Sequence, residues 1–459
     1  MTERLSERSL DGVPAIVARP AYDRTGLGVG IVHLGPGAFH RAHQGVFTDD
    51  AIAAAGGDWG VLGVSLRRGD ARTALEPQDG LYTVEFLDAD PSYRVIGALR
   101  GVLCAPDQAP AVIAAFAAAT TQVITLTITE AGYALDGAGS LDVTHPDIAH
   151  DLVEPWAPRS AIGWLALGLG ERMRRGGAPV TVISCDNLLD NGRRLARAVL
   201  AFADRLDPSA RRWIEANASF PATMVDCITP TSDEAHCERV RAALGLDDLA
   251  CVQRERFAQW VIEDRFAGPA PAWARAGVEI VADVSVHERL KLHVLNAGHS
   301  ALAYLGLPLG HAYVRQAIAD PALASFVDRM VAEEIAPALA TLPTLTYWRT
   351  VHERFANPML DHRLAQIAED GSAKLAQRVL PVLIDNARRG RPTRRLAKVV
   401  RAWLALVRAG GVRDAVARRL DCWSRAGGDL AAALDDPALF PPPFRVESNV
   451  RAAILDAGA

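Results

Sequence analysis

Residues Gly28 to Gly57 read GVGIVHLGPGAFHRAHQGVFTDDAIAAAGG, and their pattern decides the fold. Val29-Gly30-Ile31-Val32-His33-Leu34 is a short apolar run of strand character, broken by Gly35-Pro36-Gly37. From Ala38 a helix is expected, with Phe39, Ala42, Val46 and Phe47 along one side, until Gly56-Gly57 stops it. Trp59 to Leu66 then reads as a second strand. Strand, glycine turn, helix and strand make the βαβ unit of a nucleotide-binding sheet.

Outward from this unit the alternation continues. Leu81 to Phe86 alternates in a β manner, with Tyr82, Val84 and Phe86 on one face. Val123 to Thr129 is rich in β-branched residues, and Val180 to Ser184 is a short strand that enters the polar run Cys185-Asp186-Asn187. A helical pattern, Ala161 to Arg175, precedes that strand. Strands alternating with helices argue for an α/β layer architecture. Beyond about residue 284 helical stretches take over: Glu288–Leu305, Val314–Ala319, Ala322–Ala340, Leu360–Glu369, Arg378–Arg389, Arg394–Ala409 and Val412–Arg425. The expected division is an α/β domain over residues 1–284 and a mainly helical domain over 285–459, with the boundary near Val281–Val286.

Composition limits the function classes. The 459 residues suit two or three domains at roughly 100–200 residues each. Half the residues are hydrophobic, enough for a sizeable core. Lysine and arginine total 49 against 54 acids, a net charge of −5, which argues against a general nucleic-acid binder. No apolar run reaches the roughly 18 residues of a membrane span, and the charged N-terminus lacks the apolar core of a secretory signal. The six cysteines are scattered with no C-x-x-C, as expected of reduced thiols in a cytoplasmic protein.

Gly35-Pro36-Gly37 supplies two glycines of G-x-G-x-x-G, with His40 at the third position. Gly35 and Gly37 allow a tight turn and close approach of a pyrophosphate, and the helix start at Ala38 and Phe39 offers free N–H groups to phosphate. An ordinary βα turn is the other reading. A bulky third position implies looser packing of helix on strand than the usual fingerprint. At the end of the second strand, Asp70 would accept ribose hydroxyls and favour NAD; Arg67 or Arg68 would meet a 2′-phosphate and favour NADP.

The segment Val286 to Gly306, VHERLKLHVLNAGHSALAYLG, carries the candidate chemistry. On a wheel of about 100° per residue with Lys291 at the origin, Glu288 falls near 60°, His299 near 80° and Asn296 near 140°. Apolar residues surround them almost completely, so the helix is expected to be buried. Burial disfavours a charged lysine and lowers its pKa, which suits it to move an alcohol proton. Asn296 and His299 can donate hydrogen bonds to the same oxygen, and Glu288 can pair with Lys291 or relay its proton. The alternative is a buried Lys–Glu pair beside a satisfied histidine.

Asn187, after the buried strand, is a candidate second donor to a developing alkoxide or else a helix cap. Thr129 to Tyr133 marks another strand end, equally readable as a simple turn. His287-Glu288…His293 does not match H-E-x-x-H, and no P-loop or G-x-S-x-G occurs. His236-Cys237 is a lone pair of potential ligands, read as structural. The basic piece Arg388 to Arg395 reads as a solvated loop.

Together these residues resemble the mannitol dehydrogenase family, the polyol-specific long-chain dehydrogenases. Five blocks carry the likeness: Ile31 to Gln44, Thr129 to Tyr133, Ser184 to Asn187 with Asn191-Gly192, Phe220 to Pro230, and Lys291-x4-Asn296-x2-His299. They run from near residue 30 to about 300 in the family's order. The resemblance implies a Rossmann-type domain followed by a helical domain, chemistry without a metal, and a nicotinamide cofactor, NAD with NADP left open. It implies Lys291 as general acid/base, Asn187 and Asn296 holding the reacting oxygen, His299 orienting substrate, Glu288 gating or relaying the proton, and Asp226 at a substrate-site aspartate. Where the family usually has Val-Asp-Arg-Ile, this chain has Val225-Asp226-Cys227-Ile228, which removes a fixed cation beside Asp226.

Within the family, Asp361 to Arg378 resembles the fructuronate reductases (D-mannonate oxidoreductases) more than the mannitol 2-dehydrogenases, and Asp142 to Trp164 leans the same way. Arg363, Lys374 or Arg378 would then bind a uronate carboxylate through charge-assisted hydrogen bonds, or are ordinary surface cations. The expected activity is alcohol–ketone interconversion on a linear sugar acid or polyol, with a mannitol 2-dehydrogenase or other polyol dehydrogenase as alternative. A non-catalytic dinucleotide sensor on the same fold is the rival class. The expected partner is a small molecule, with neither nucleic acid nor membrane.

Overall fold

The computed structural model describes residues 3–137, 139–410, 412–414, 417–425, 427–437, 439–440 and 448–457. The chain divides into two compact units, Met1–Ser285 and Val286–Ala459.

The first unit is built on a six-stranded parallel sheet. Its strands are β1 (Val29–Leu34), β2 (Gly60–Ser65), β5 (Leu99–Cys104), β6 (Val123–Leu126), β7 (Val180–Ser184) and β8 (Ala218–Ser219). They lie in the order β5-β2-β1-β6-β7-β8, every pair parallel. The chain starts at β1, works outward through β2, then returns to β6 on the other side. That reversal is the topological switch point of a doubly wound sheet, where ligands bind beyond the carboxyl ends of the strands.

Both faces of this sheet are covered, which is why its strands read as continuous apolar runs. Val32, Leu34, Ile124, Leu126 and Val182 face α4 (Ala109–Ala117), α6 (Ala161–Arg174) and α7 (Asn191–Leu206) through Phe116, Trp164, Leu165 and Phe202. Ile31, Val61, Val102, Val123 and Ile183 face the other way, onto Val46, Phe47 and Ile52 and onto two small sheets. One small sheet is β10 (Val252–Glu255), β3 (Tyr82–Leu87) and β4 (Ser92–Ile96); the other is β12 (Glu279–Val281), β11 (Gln259–Glu263) and β9 (Thr223–Asp226). The strand expected at Leu81–Phe86 is therefore β3. Its burial is not one-sided, however, because Thr83 and Glu85 are fully buried while Phe86 is only half-buried.

The single helix expected after Gly37 is two helices, α1 (Ala38–Ala42) and α2 (Gln44–Ala55), which meet at His43 with φ −119 and ψ −85. The remaining helices of this unit are α3 (Asp70–Leu75), α5 (Pro146–Val153), α8 (Pro208–Asn217) and α9 (Glu234–Leu244).

The second unit is helical. The chain runs from α10 (Ser285–Leu290) through a π-helical turn, Lys291–Asn296, into α11 (Ala297–Gly306). The expected uniform helix is thus interrupted at its middle. Then come α12 (Val314–Ala319), α13 (Pro321–Arg329), α14 (Thr344–Phe355), α15 (Leu364–Ala368), α16 (Gly371–Arg378), α17 (Leu380–Arg388), α18 (Arg394–Arg408), α19 (Ala417–Arg425), α20 (Leu430–Asp435) and α21 (Ser448–Asp456). The stretch expected as helix over Ala322–Ala340 ends α13 at Arg329 and passes into a second π turn, Met330–Ile335. Residues 415–416 of the expected Val412–Arg425 helix lie outside the described residues. α11 is the central element, packed by α12, α13, α15, α16 and α18. It is buried all round, with Ala297, Ala301, Leu302, Ala303 and Tyr304 in the main cluster. Among the described residues, no helix is long and apolar enough to cross a membrane.

Candidate functional site

In the first unit the site begins at the carboxyl end of β1. Gly35 has φ +85, and a Cβ there would lie 2.2 Å from the Thr127 carbonyl oxygen, so only glycine fits. Gly37 is different: a Cβ would meet nothing nearer than the Gly35 carbonyl at 3.8 Å. Gly37 and Ala38 are exposed, and no side chain caps α1. The turn therefore presents an open backbone surface, and this is the cradle that a dinucleotide pyrophosphate needs.

His33 holds that turn from beneath. Its Nε2 lies 3.1 Å from the Gly35 carbonyl and 3.0 Å from Thr127 Oγ1, and its Nδ1 lies 2.7 Å from Thr125 Oγ1. A carbonyl can only accept, so Nε2 carries the proton and Nδ1 accepts from Thr125. Burial pulls His33 down to about 3, so the ring is neutral. His40, at the third fingerprint position, stacks on His33 with centroids 3.5 Å apart and planes 18° from parallel. The bulky residue thus fills the helix–strand space and does not loosen it. Arg41 Nη1 also donates to the Pro36 carbonyl at 2.6 Å.

The neighbouring strand ends are tied together. The Asp186 carboxylate accepts from the backbone N–H groups of Ile128 (3.1 Å) and Thr129 (2.8 Å) and from Tyr133 Oη (2.7 Å). Thr129 sits at φ 64, ψ 162 under this hold. Asn191 Nδ2 donates to the carbonyls of Asp186 and Thr223, both at 3.1 Å, and Thr223 N–H donates back to Asn191 Oδ1 at 2.9 Å. A Cβ on Gly192 would strike the Phe220 and Pro221 backbone at 2.6 Å, so α7 starts with glycine where β9 approaches. Asn187 lies exposed beyond β7.

In the second unit, Lys291 and Asn296 are the first and last residues of the π turn, both half-buried. In a π turn the hydrogen bonds join residues five apart, so these two lie nearer the same side of the helix than regular α geometry would put them. The regular wheel had placed them about 140° apart. Glu288 is half-buried in α10. His299 is buried against Phe355, with ring centroids 4.2 Å apart, and meets His362 edge-on at 5.0 Å. Its Nε2 has no hydrogen-bond partner among the described residues. Burial, reinforced by His362, Arg378, Arg354 and Lys374, holds His299 well below its usual pKa.

Arg378, at the end of α16, is half-buried. Its Nη1 donates to Ser300 Oγ at 3.1 Å and to the Asn296 carbonyl at 3.4 Å. Lys374 Nζ donates to the Ile367 carbonyl at 3.1 Å. Burial lowers both pKa values, and each cation lowers the other or a shared neighbour such as His299. Among the described residues, no carboxylate forms an ion pair with either. Arg363, by contrast, is exposed at the N-terminus of α15.

Comparison with known proteins decides the family. The family model described as "Mannitol dehydrogenase Rossmann domain" matches residues 29–275, and "Mannitol dehydrogenase C-terminal domain" matches 283–418. The chain belongs to the mannitol dehydrogenase family.

Two relatives in Escherichia coli (strain K12) bracket the likeness. One is an uncharacterized oxidoreductase, YeiQ, 42% identical over 88% of this chain and 83% of its own. The other is D-mannonate oxidoreductase, 40% identical over 84% of this chain and 82% of its own. Among solved structures, the Pseudomonas fluorescens mannitol 2-dehydrogenase ternary complex with NAD and D-mannitol is 33% identical, covers 99% of this chain and 96% of that one, and has a TM-score of 0.87. This member of the mannitol dehydrogenase family is accordingly an oxidoreductase with a Rossmann dinucleotide-binding domain and a helical C-terminal domain.

The family departure at Cys227 is set in a particular environment. Asp226 is buried at the end of β9, and burial pushes the Cys227 thiol up to about 12. The Arg254 guanidinium, buried on β10, is close enough to oppose that rise, so a cation persists in this neighbourhood from another strand. Asp70 is exposed at the start of α3, 3.3 Å from Arg68, while Arg67 pairs with Asp147 at 3.0 Å. His33, Asp186, Asn191 and Ser300 are the supporting residues whose roles the sequence reading left unassigned. For Asp186 the signal was present in the polar run after β7, and for Asn191 in the Asn191-Gly192 pair that follows it.

Proposed function

We propose that this chain is a cytoplasmic, NAD-dependent fructuronate reductase that interconverts D-mannonate and D-fructuronate without a metal in the reaction. One observation carries the substrate choice: Arg378 is half-buried, has no carboxylate partner among the described residues, and bonds to Asn296 and Ser300 through Nη1 alone. A guanidinium with donors left over in a partly desolvated place suits a planar anion such as a uronate carboxylate. Lys374 adds a second cation with no ion-pair partner among the described residues. The likeness to D-mannonate oxidoreductase supports the same reading.

A nicotinamide cofactor, held by the Gly35–Gly37 turn, the N–H groups at Ala38 and Phe39 and the Asp70 carboxylate, would supply the hydride donor or acceptor. Lys291, as the neutral amine, takes the hydroxyl proton while hydride leaves the carbinol carbon; in reduction its ammonium returns that proton to the alkoxide oxygen. Asn296, five residues on in the same π turn, and Asn187 hold that oxygen, His299 orients the substrate chain, and Glu288 relays the proton. Asp226 and Arg363 complete the substrate contacts. Arg67 and Arg68 each face a carboxylate already, which supports NAD over NADP. The mannitol 2-dehydrogenase reading is favoured by one specific likeness, the match over 99% of the chain to an enzyme solved with D-mannitol.

Initial rates with fructuronate, tagaturonate, fructose and xylulose, each with NADH and NADPH, separate the two. Fructuronate with NADH is expected to turn over fastest. Arg378→Ala should raise KM for fructuronate by about 10–100-fold and leave the fructose KM nearly unchanged. Lys291→Ala should lower kcat by about 10²–10⁴-fold while NADH still binds. Faster wild-type turnover of fructose than of fructuronate would overturn the substrate, and normal turnover in Lys291→Ala would remove that residue from the chemistry.

A further inference from the structure

The His236-Cys237 pair is not alone in the folded chain. It occupies the first turn of α9, and the fold brings Cys251, just before β10, alongside it. Cys237 Sγ and Cys251 Sγ are 3.7 Å apart, and His236 Nδ1 is 3.9 Å from Cys251 Sγ. The three donor atoms all lie within 4.8 Å of one another. Ligands around a tetrahedral zinc, with Zn–S about 2.3 Å and Zn–N about 2.0–2.1 Å, stand about 3.6–3.8 Å from each other.

The surroundings of the histidine point the same way. His236 is fully buried, and its Nε2 makes no hydrogen bond but lies 3.5 Å from Glu85 Oε2. Glu85 is itself fully buried and fixed by Arg239, whose Nε and Nη2 donate at 2.9 and 2.8 Å, and by Tyr93 Oη at 2.9 Å. A buried carboxylate behind one imidazole nitrogen, with soft donors before the other, is the outer-shell arrangement of a metal-ligating histidine.

We propose that His236 Nδ1, Cys237 Sγ and Cys251 Sγ form a three-ligand zinc(II) site, with water in the fourth position on the side where Cys237 is half-exposed. Two thiolates and one imidazole are soft to borderline donors, which select zinc over magnesium or calcium. Each cysteine gives up its thiol proton when the ion binds, so loading releases two protons to solvent. The ion would pin α9 to β10 across the small cluster of Leu5, Val13, Val17, Val240 and Leu244. It lies outside the residues assigned to hydride transfer and leaves that chemistry metal-free.

The test uses the full chain, reduced and stripped with chelator, in a Cys422→Ser background that removes the exposed thiol. Cobalt(II) is titrated as a spectroscopic stand-in, then displaced with zinc. The expected result is one equivalent per chain with thiolate charge-transfer absorption, and a melting temperature raised by zinc. Cys237→Ser and Cys251→Ala should each weaken binding by at least about 100-fold, and Glu85→Gln by about 10–100-fold. Cys237 is the more exposed of the two thiols, so Cys237→Ser remains informative if Cys251→Ala does not fold. Absence of the cobalt absorption in the Cys422→Ser protein, its persistence when Cys237→Ser is added, or recovery of the pair only as a Cys237–Cys251 disulfide would each overturn the proposal.

Discussion

Thr129 holds a backbone conformation, φ 64 and ψ 162, that belongs almost wholly to glycine. The cost of such a residue is about 1–3 kcal/mol, and it persists because the Asp186 carboxylate fixes the N–H groups of Ile128 and Thr129. Replacing Thr129 with glycine removes the clash of the side chain and keeps the hydrogen bonds. Thr129→Gly should therefore raise unfolding stability by about 1 kcal/mol, read as a higher urea midpoint at constant slope. A lower midpoint would mean that the threonine side chain contributes more than its backbone costs. Both residues were legible as strand-end polar groups. Their partnership was not, because nothing local says that a carboxylate at 186 reaches back to amides at 128 and 129. The same holds for Ser300, whose hydroxyl meets Arg378 from 78 positions away.

At the scale of elements, the π turn is the feature with the largest functional leverage. It acts as a one-residue insertion in an otherwise α-helical rod, and it brings Lys291 and Asn296 nearer one side while α10 and α11 continue on either side. Moving the amide one place back, as Leu295→Asn with Asn296→Ala, carries it about 100° round the helix from that side. Helical circular dichroism is expected to stay near wild type, because no residue is added or removed, while turnover falls at least about 100-fold as the two polar side chains leave their common side. Retained turnover would show that their placement on one side is not used. Regular α-helices such as Arg394–Arg408 were readable because burial there follows the 3.6-residue period. A wheel of fixed pitch cannot register a change of pitch, so both π turns escaped. The helix Thr344–Phe355 escaped too: its β-branched and aromatic residues carry strand propensity, and only the burial of Trp348, Val351 and Phe355 fixes it as helix. Strands β8 to β12 are two to five residues long and lack the runs of three or more β-branched residues that made the equally short β6 and β7 legible.

Across the whole molecule, both units bury neutral histidines. His33 is pulled to about 3, and His40 and His299 lie well below their ordinary value of 6.5, all by desolvation; His293 and His362 are lowered as well. The unfolded chain protonates these rings as pH falls through about 6.5, and the folded chain does not. The unfolded state then binds more protons, so stability falls with acid by up to about 1.4 kcal/mol per pH unit for each ring. For His33 the loss continues until about pH 3. Asp186, Asp248 and Glu334, raised by burial, keep protons longer when folded and act in the opposite direction, but only nearer carboxylate pH. The urea midpoint should drop between pH 7.5 and 5.5, well before acid denaturation of carboxylates; a level or rising midpoint would show that the rings charge inside the fold. The α/β then helical order was legible because buried parallel strands and long helices each leave a strong periodic trace. The placement of β3 and β10 in a sheet of their own was not, since their pairing spans more than 160 residues.

His40 also bears on redesign. A designer following the dinucleotide consensus would write glycine into that slot, expecting to repair an imperfect signature. Here the substitution would strip the cover from His33 and leave a void under the very loop it was meant to perfect; in this chain the deviation is the keystone.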